Sequence, residues 1–313
     1  MQIFHSAFLE QRSPKMGFKV GSFITIRNRG LDPEISVAST RRVVNPAIVQ
    51  TANAVSISPN FSGKSTWNFD VDGALNITSG SYTITPQKTF DVNVKMWGQG
   101  GYNSAQYTAG AGAALMGTLK LTASQTININ FGGGGTGGPA GTAGDGGNYA
   151  GIFLGPSAAH ANAIAIAGAG GGGAQDDGGR GAEGAAGGYP SGGTSSGYPG
   201  TSAGGGTQSA GGTAGPSGTA GSALTGGTGG PAAGGFGGGG GGGYYGGGGG
   251  GMICCLAGSG GGGGSSYNSP NTSLIASVTH FSGSGITAGN STDPNRGGAG
   301  NRDNVARIYM AVV

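Results

Sequence analysis

The chain has 313 residues, of which 78 are glycine and 9% are charged, with a formal net charge of +3. Ordinary globular chains carry roughly 7% glycine and roughly 25% charge, so an average globular composition is excluded. Collagen is excluded as well, because it needs glycine in strict period and proline above roughly 15%, and this chain has 13 prolines.

Residues 1–50 hold the basic excess: Arg12, Lys15, Lys19, Arg27, Arg29, Arg41 and Arg42 outnumber Glu10, Asp32 and Glu34. Turn signals at Ser13-Pro14, Asp32-Pro33 and Asn45-Pro46 mark this stretch as an irregular arm, with Phe18–Ile26 its best strand. Basic residues without interleaved aromatics do not make a nucleic-acid face. The arm is read instead as a docking segment for a protein partner. Met1–Lys15 has no apolar core of the length that a secretory signal needs. No run of about 20 apolar residues occurs, so no membrane insertion is expected.

Residues 51–97 read as a small β module. Ala54–Ile57, Leu75–Ile77, Ser81–Ile84 and Phe90–Met96 alternate apolar and polar residues, the period of a half-buried strand. Residues 98–313 form the glycine-rich domain. Strand-like runs punctuate it at Ala114–Leu121, Thr126–Phe131, Gly151–Leu154, Ala163–Ala167 and Val305–Val313. Between Glu183 and Asp293 there is no charged residue. Charge-driven disorder needs charge, so an ordered, packed segment is expected. Cys254 and Cys255 are adjacent, a spacing that strains a mutual disulfide, and free thiols are expected.

Glycine recurs at period three: Gly138, Gly141, Gly144 and Gly147; Gly178, Gly181, Gly184 and Gly187; Gly212, Gly215, Gly218 and Gly221. A polyproline-II helix has three residues per turn and no internal hydrogen bonds. Glycine at every third residue bares one edge, so another backbone can approach and supply partners for its N–H and C=O groups. Gly237–Gly243 and Gly246–Gly251 are bare on all edges and suit the middle of a bundle, while the period-three runs suit its rim. The expected fold is all-β with a glycine-rich polyproline/polyglycine-II helix bundle and almost no α-helix, since glycine costs roughly 1 kcal/mol in a helix interior.

No catalytic constellation stands out, and no enzyme activity, cofactor or metal site is expected. His5, His160 and His280 are far apart and read as surface or loop residues. Gly-x-Gly-x-x-Gly matches are unavoidable in this composition and carry meaning only between a strand and a helix. Tyr102, Tyr107, Tyr189, Tyr198, Tyr244, Tyr245 and Tyr267 lie in or near glycine-rich stretches. Tyrosine offers large contact area at low entropy cost, which suits glycan or protein recognition. Tyr189 and Tyr198 are the better candidates, because Tyr244 and Tyr245 fall within the glycine core.

The order of features resembles a family of glycine-rich domains found in bacteriophage tail-fibre and related virion proteins. The residues that carry the resemblance are Met96-Trp-Gly-Gln-Gly-Gly101, the strand-turn-strand Leu119–Gly135, the apolar run into glycines at Ile164–Gly173, Gly261–Tyr267 and Asp293–Asn301. It covers roughly residues 88–313. The wider architecture is similar to the polyglycine-II sandwich of long-tail-fibre adhesins, whose variable loops touch the host receptor.

The resemblance implies a virion structural appendage, of fibre or fibre-tip type, assembled in the host cytoplasm. Residues 1–50 would dock it to other virion proteins. Its receptor-binding candidates are Tyr189, Tyr198, Met252 and Leu256, facing a host surface glycan or outer-membrane protein. A homo-oligomer, with a trimer favoured, is expected because the apolar core is small. Two alternatives stand beside it. One is a purely architectural head fibre or capsid decoration protein. The other is a glycine-rich extracellular matrix or ice-binding protein, which should show a secretion signal or a regular threonine face.

Overall fold

The structure, a computed structural model, describes residues 9–12, 19–22, 52–138, 143–176, 182–197, 200–232, 235–253 and 257–313. It divides into two units, Met1–Asn45 and Pro46–Val313. In the first, β1 (Leu9–Arg12) pairs antiparallel with β2 (Lys19–Ser22), Leu9 opposite Ser22. The rest of the expected arm lies outside the described residues, as do His5, Cys254 and Cys255.

The second unit is built on two antiparallel sheets. Its strands are β3 (Ala54–Phe61), β4 (Lys64–Asn68), β5 (Leu75–Ile77), β6 (Ser81–Pro86), β7 (Phe90–Trp97), β8 (Ala114–Leu121), β9 (Ile127–Gly132), β10 (Tyr149–Leu154), β11 (Ala163–Ala167), β12 (Gln175–Asp176), β13 (Pro231–Ala232), β14 (Gly235–Phe236), β15 (Met252–Ile253), β16 (Ala257–Gly258), β17 (Tyr267–Asn268), β18 (Ile275–Phe281) and β19 (Arg307–Val312). One sheet runs β17-β11-β10-β9-β6-β3-β4 and the other β18-β8-β7-β19-β5. The helical content among the described residues is α1 (Phe69–Asp72), capped by the Asn68 side chain accepting from the Asp70 N–H, and a single 3-10 turn at His160–Asn162.

The alternation seen in the sequence sets the core. Val92, Val94 and Met96 of β7 point inward at 0–1% exposure while Asp91 and Asn93 face out. They meet Ile57, Ile84, Ile129, Ile152 and Ile164 of the facing sheet in one continuous apolar cluster. The sequence places a boundary at residue 97, but strands from both sides of it interleave. β3, β4 and β6 share a sheet with β9, and β7 lies between β8 and β19. Each strand of 51–97 has only one apolar face, and closing that face takes neighbours from later in the chain.

The strands β7, β9 and β11 run directly into glycine segments, and β8, β10 and β17 emerge from them, all at the same end of the sandwich. These segments pack by backbone hydrogen bonds, and the donor pattern has period three. Gly237 and Gly240 donate to Gly230 and Gly227; Gly238 and Gly241 donate to Ser259 and Gly262; Gly239 and Gly242 donate to Gly144 and Gly147. The same run accepts on its other sides from Gly135, from Ala169 and Gly172, and from Gly247 and Gly250. Residues 246–251 repeat the pattern, donating in turn to Ser222, Gly241, Gly204, Thr219, Gly238 and Thr201. Successive residues therefore face different neighbours.

No glycine of the 237–243 or 246–251 runs has a left-handed φ. What glycine supplies there is the missing Cβ. A Cβ on Gly239 would strike the Gly135 carbonyl, on Gly240 that of Gly247, and on Gly241 that of Ala169.

The segment Asp293–Asn301 is tied down by its own side chains. Lys95 Nζ, on β7, donates to Asp293 Oδ2 and to Asn295 Oδ1, both at 2.8 Å. Arg296 donates to the carbonyls of Ser291 and Ala299 and to Asn301 Oδ1, and Arg307 donates to the Asn295 carbonyl. Gly298 (φ 88°) and Gly300 (φ 78°) occupy left-handed turns that a side chain would strain. The motif closes the sandwich over β7 and β19.

Candidate functional site

The glycine region has two ends. The near end abuts the sheets, and the far end carries the short strands β12 to β16, in the orders β12-β14-β13 and β15-β16. The sequence-predicted recognition residues fall at both. Tyr189 is at the near end, since Gly188 N–H donates to the Gly264 carbonyl just before β17. Met252 is at the far end, where Gly251 bonds to Ser259 and β15 pairs with β16. Because each segment runs the length of the region, Tyr189 and Met252 are not brought together. Tyr198 and Leu256 lie outside the described residues.

At the far end, the two-residue alternation of β15 turns Met252 inward, at 3% exposure, and Ile253 outward, at 37%. The residue of this pair that meets solvent is thus Ile253, which composition alone did not single out. A Cβ on Gly235 would strike the Met252 methyl, so the Met252 side chain is packing for the scaffold.

At the near end, Tyr189 is 43% exposed. One face of its ring lies on His280, with centroids 3.7 Å apart and planes within 5°. Its N–H donates to Ser282 Oγ at 3.1 Å. Beside it, Gln208 Nε2 donates to the carbonyls of Pro190 (2.6 Å) and Ser266 (2.8 Å), fixing the turn. A second aromatic group stands on the outer face of β10, β11 and β17. Tyr267, Tyr244 and His160 form a stacked column, with spacings of 3.9 Å and 4.0 Å, and Tyr245 meets His160 edge-on. The sequence reading makes these histidines surface or loop residues. Both are partly buried against tyrosine rings, because the turns at 188–191 and 243–246 fold back onto the sheets.

Burial governs their titration. His280 Nε2 pairs with Asn268 Oδ1 at 2.8 Å, while Nδ1 is buried without a partner among the described residues. Desolvation pushes its pKa down from 6.5 to about 4. Burial also lowers that of His160, partly opposed by a hydrogen bond from its ring to the Tyr244 backbone, and raises that of Tyr244. The fold therefore favours neutral His280. Its contribution to stability is complete above pH 6.5, is lost as pH falls, and levels off below about 4. Discounted for partial exposure, the loss is about 1–2 kcal/mol. Urea unfolding across this range, wild type against His280→Gln, should show the step in the wild type and a smaller one in the variant.

The structure also assembles a feature invisible in the sequence. Thr136 Oγ1 and Thr228 Oγ1 approach to 3.4 Å, and Thr228 N–H donates to Thr219 Oγ1 at 2.7 Å. These exposed threonines from three segments form a short row on the rim. It is one row and not a regular face.

Among the described residues no group of His, Cys, Asp or Glu is placed to hold a metal ion, and no helix is long and apolar enough to cross a membrane. Compared with models of known protein families the chain matches none, and no curated protein matches it.

Proposed function

We propose that this chain is a virion appendage protein, of tail-fibre or fibre-tip type, whose glycine segments form a polyglycine-II bundle that holds recognition loops rigidly. The observation that carries the reading is the hydrogen bonding of residues 237–251. A donor direction that returns every third residue is the signature of a three-residue helix with no internal bonds. With each N–H and C=O of residues 238–242 and 246–251 committed to a neighbouring segment, the scaffold has little freedom. The motif order shared with glycine-rich virion domains supports the same reading. So does the absence of Asp, Glu, Lys and Arg from 184 to 292.

In this reading residues 1–50 dock to other virion proteins, and the exposed turns meet a host surface glycan or outer-membrane protein. Ile253 at the far end and Tyr189 at the near end are exposed side chains that could do so. A purely architectural role, as a head fibre or decoration protein, is the second reading. The burial of Met252 and the stacking of Tyr189 on His280 favour it, since both use candidate contact residues internally.

Labelled full-length protein, applied to intact cells from a panel of bacteria, separates the two. The appendage reading predicts saturable binding to a restricted set of strains, weakened about thirtyfold by Ile253→Ser or Tyr189→Ala, the lower bound of an interface hot spot. Absence of saturable binding to every strain, from protein with a native unfolding transition, would favour the architectural role.

A further inference from the structure

The segment 182–189 has neighbours on five of the six sides that a three-residue helix offers. Gly184 and Gly187 donate to the carbonyls of Thr108 and Ala111. Ala185 and Gly188 donate to those of Gly261 and Gly264. Its carbonyls accept from Gly171 and Ala174, from Gly193, and from Gly283. The remaining donor direction belongs to Glu183, Ala186 and Tyr189, the three residues of this stretch that are not fully buried before Pro190; at its Tyr189 end the N–H is already taken by the Ser282 hydroxyl. The Ala186 N–H has no partner among the described residues. Over this side lies a groove of about 390 Å³, walled by residues 191–196 on one flank and 282–285 on the other.

We propose that this groove is a vacant helix position, which binds an extended polypeptide in the polyproline-II conformation. The proposal rests on the three-residue helical reading above, and is independent of where the protein acts. Three features define the occupant. The walls carry Gly193, Ser191, Ser282 and Gly283, so another backbone can come as close as those of the five existing neighbours. That requires a small residue at every third position of the occupant. The Ala186 N–H asks for a backbone carbonyl, the group that Gly184 and Ala185 each find in their own neighbours.

The ends of the groove differ. Glu183 is exposed and makes no ion pair among the described residues, so it suits a basic side chain. The other end is lined by Gly188 and Ser191, which flank the exposed Tyr189 and Pro190 in the chain, and an aromatic ring near such a groove favours proline. From Glu183 to Tyr189 the span is about 19 Å at ~3.1 Å per residue. The occupant is therefore a short segment with glycine at every third position, proline and a basic residue. Proline presets the extended conformation, which lowers the ordering cost of binding.

The test is an NMR titration of the isotope-labelled full chain with a capped peptide of repeating Gly-Pro-Lys. A peptide of the same composition with the glycine period broken serves as control. Shifts should be confined to Glu183–Tyr189 and the flanks at Thr194 and Gly283, and exchange of the Ala186 amide should slow at saturation. Ala186→Pro removes the N–H but keeps the backbone conformation, and should weaken binding about fivefold, one ordinary hydrogen bond. Ala186→Leu keeps the N–H but fills the groove, and should abolish binding. Unchanged thermal midpoints would show that both variants fold. Equal binding of the two peptides, no shift in the groove, or full affinity in Ala186→Pro would overturn the proposal. Amide exchange of Gly238–Gly242 in the free protein distinguishes the causes. Protected amides with an unresponsive groove sink the groove alone, and unprotected amides sink the helical reading beneath it.

Discussion

Gly240→Ala should destabilise the Pro46–Val313 unit by about 2–4 kcal/mol. Gly240 donates to Gly227 and accepts from Gly135, both at 2.8 Å. Its third side is closed by the Gly247 carbonyl, which a Cβ would strike. The clash is with backbone, so no side-chain rotation relieves it. Overpacking of this kind costs about 1–3 kcal/mol. Moving Gly247 aside also disturbs its bond to Gly241, at about 1 kcal/mol for each bond lost. Gly258→Ala is the control. A Cβ there meets nothing closer than 3.4 Å, and the reduced freedom of the unfolded chain offsets small strain. Its unfolding free energy from urea titration should stay within about 1 kcal/mol of wild type. Similar stabilities for the two variants would mean that residues 237–243 are not packed as described.

Lys95→Met should cost about 3 kcal/mol, for a different reason. Asp293 has a side chain only 9% exposed, and Lys95 is its cationic partner at 2.8 Å. Removing the ammonium leaves a nearly buried carboxylate uncompensated, which is more damaging than losing the pair itself. In a unit of this size the thermal midpoint should fall by roughly 6 °C. The double variant Lys95→Met/Asp293→Asn removes both charges and should recover a large part of the loss. A double variant as unstable as the single one would show that the Asp293 side-chain hydrogen bonds, to Asn295 N–H and Asn290, matter more than the charge.

These two sites also mark what the sequence made legible. Strand alternation exposed β7, β9 and β19, because one face of each is apolar at period two. The spacing of Gly212 and Gly215 returns as a donor pattern, both facing the 246–251 run at Gly246 and Gly249. β18 went unseen because an irregularity between Ala276 and Thr279, with Ser277 at φ 53°, breaks its alternation. β4 went unseen because it is a polar edge strand.

The interleaving of 51–97 with later strands could not be read either, since nothing local reports a pairing such as Met96 with Ile308. The same holds for the Lys95–Asp293 pair, separated by 198 positions. At the candidate site, glycine spacing pointed to scaffold and turns. It did not say which turns fold back onto the sheets, and so it placed Tyr189 and Met252 in one class although they sit at opposite ends. Whether Met252 or Ile253 faces solvent depends on the phase of a two-residue strand, which two residues cannot reveal.

The most direct test of the central claim, an ordered glycine lattice continuous with the sandwich, is residue-resolved amide hydrogen exchange on the full chain. The account predicts that the amides of Gly238–Gly242 and Gly247–Gly250 exchange as slowly as those of Val92 and Val94 in β7, through global unfolding. Exchange of those glycines at free-peptide rates, while β7 remains protected, would contradict it.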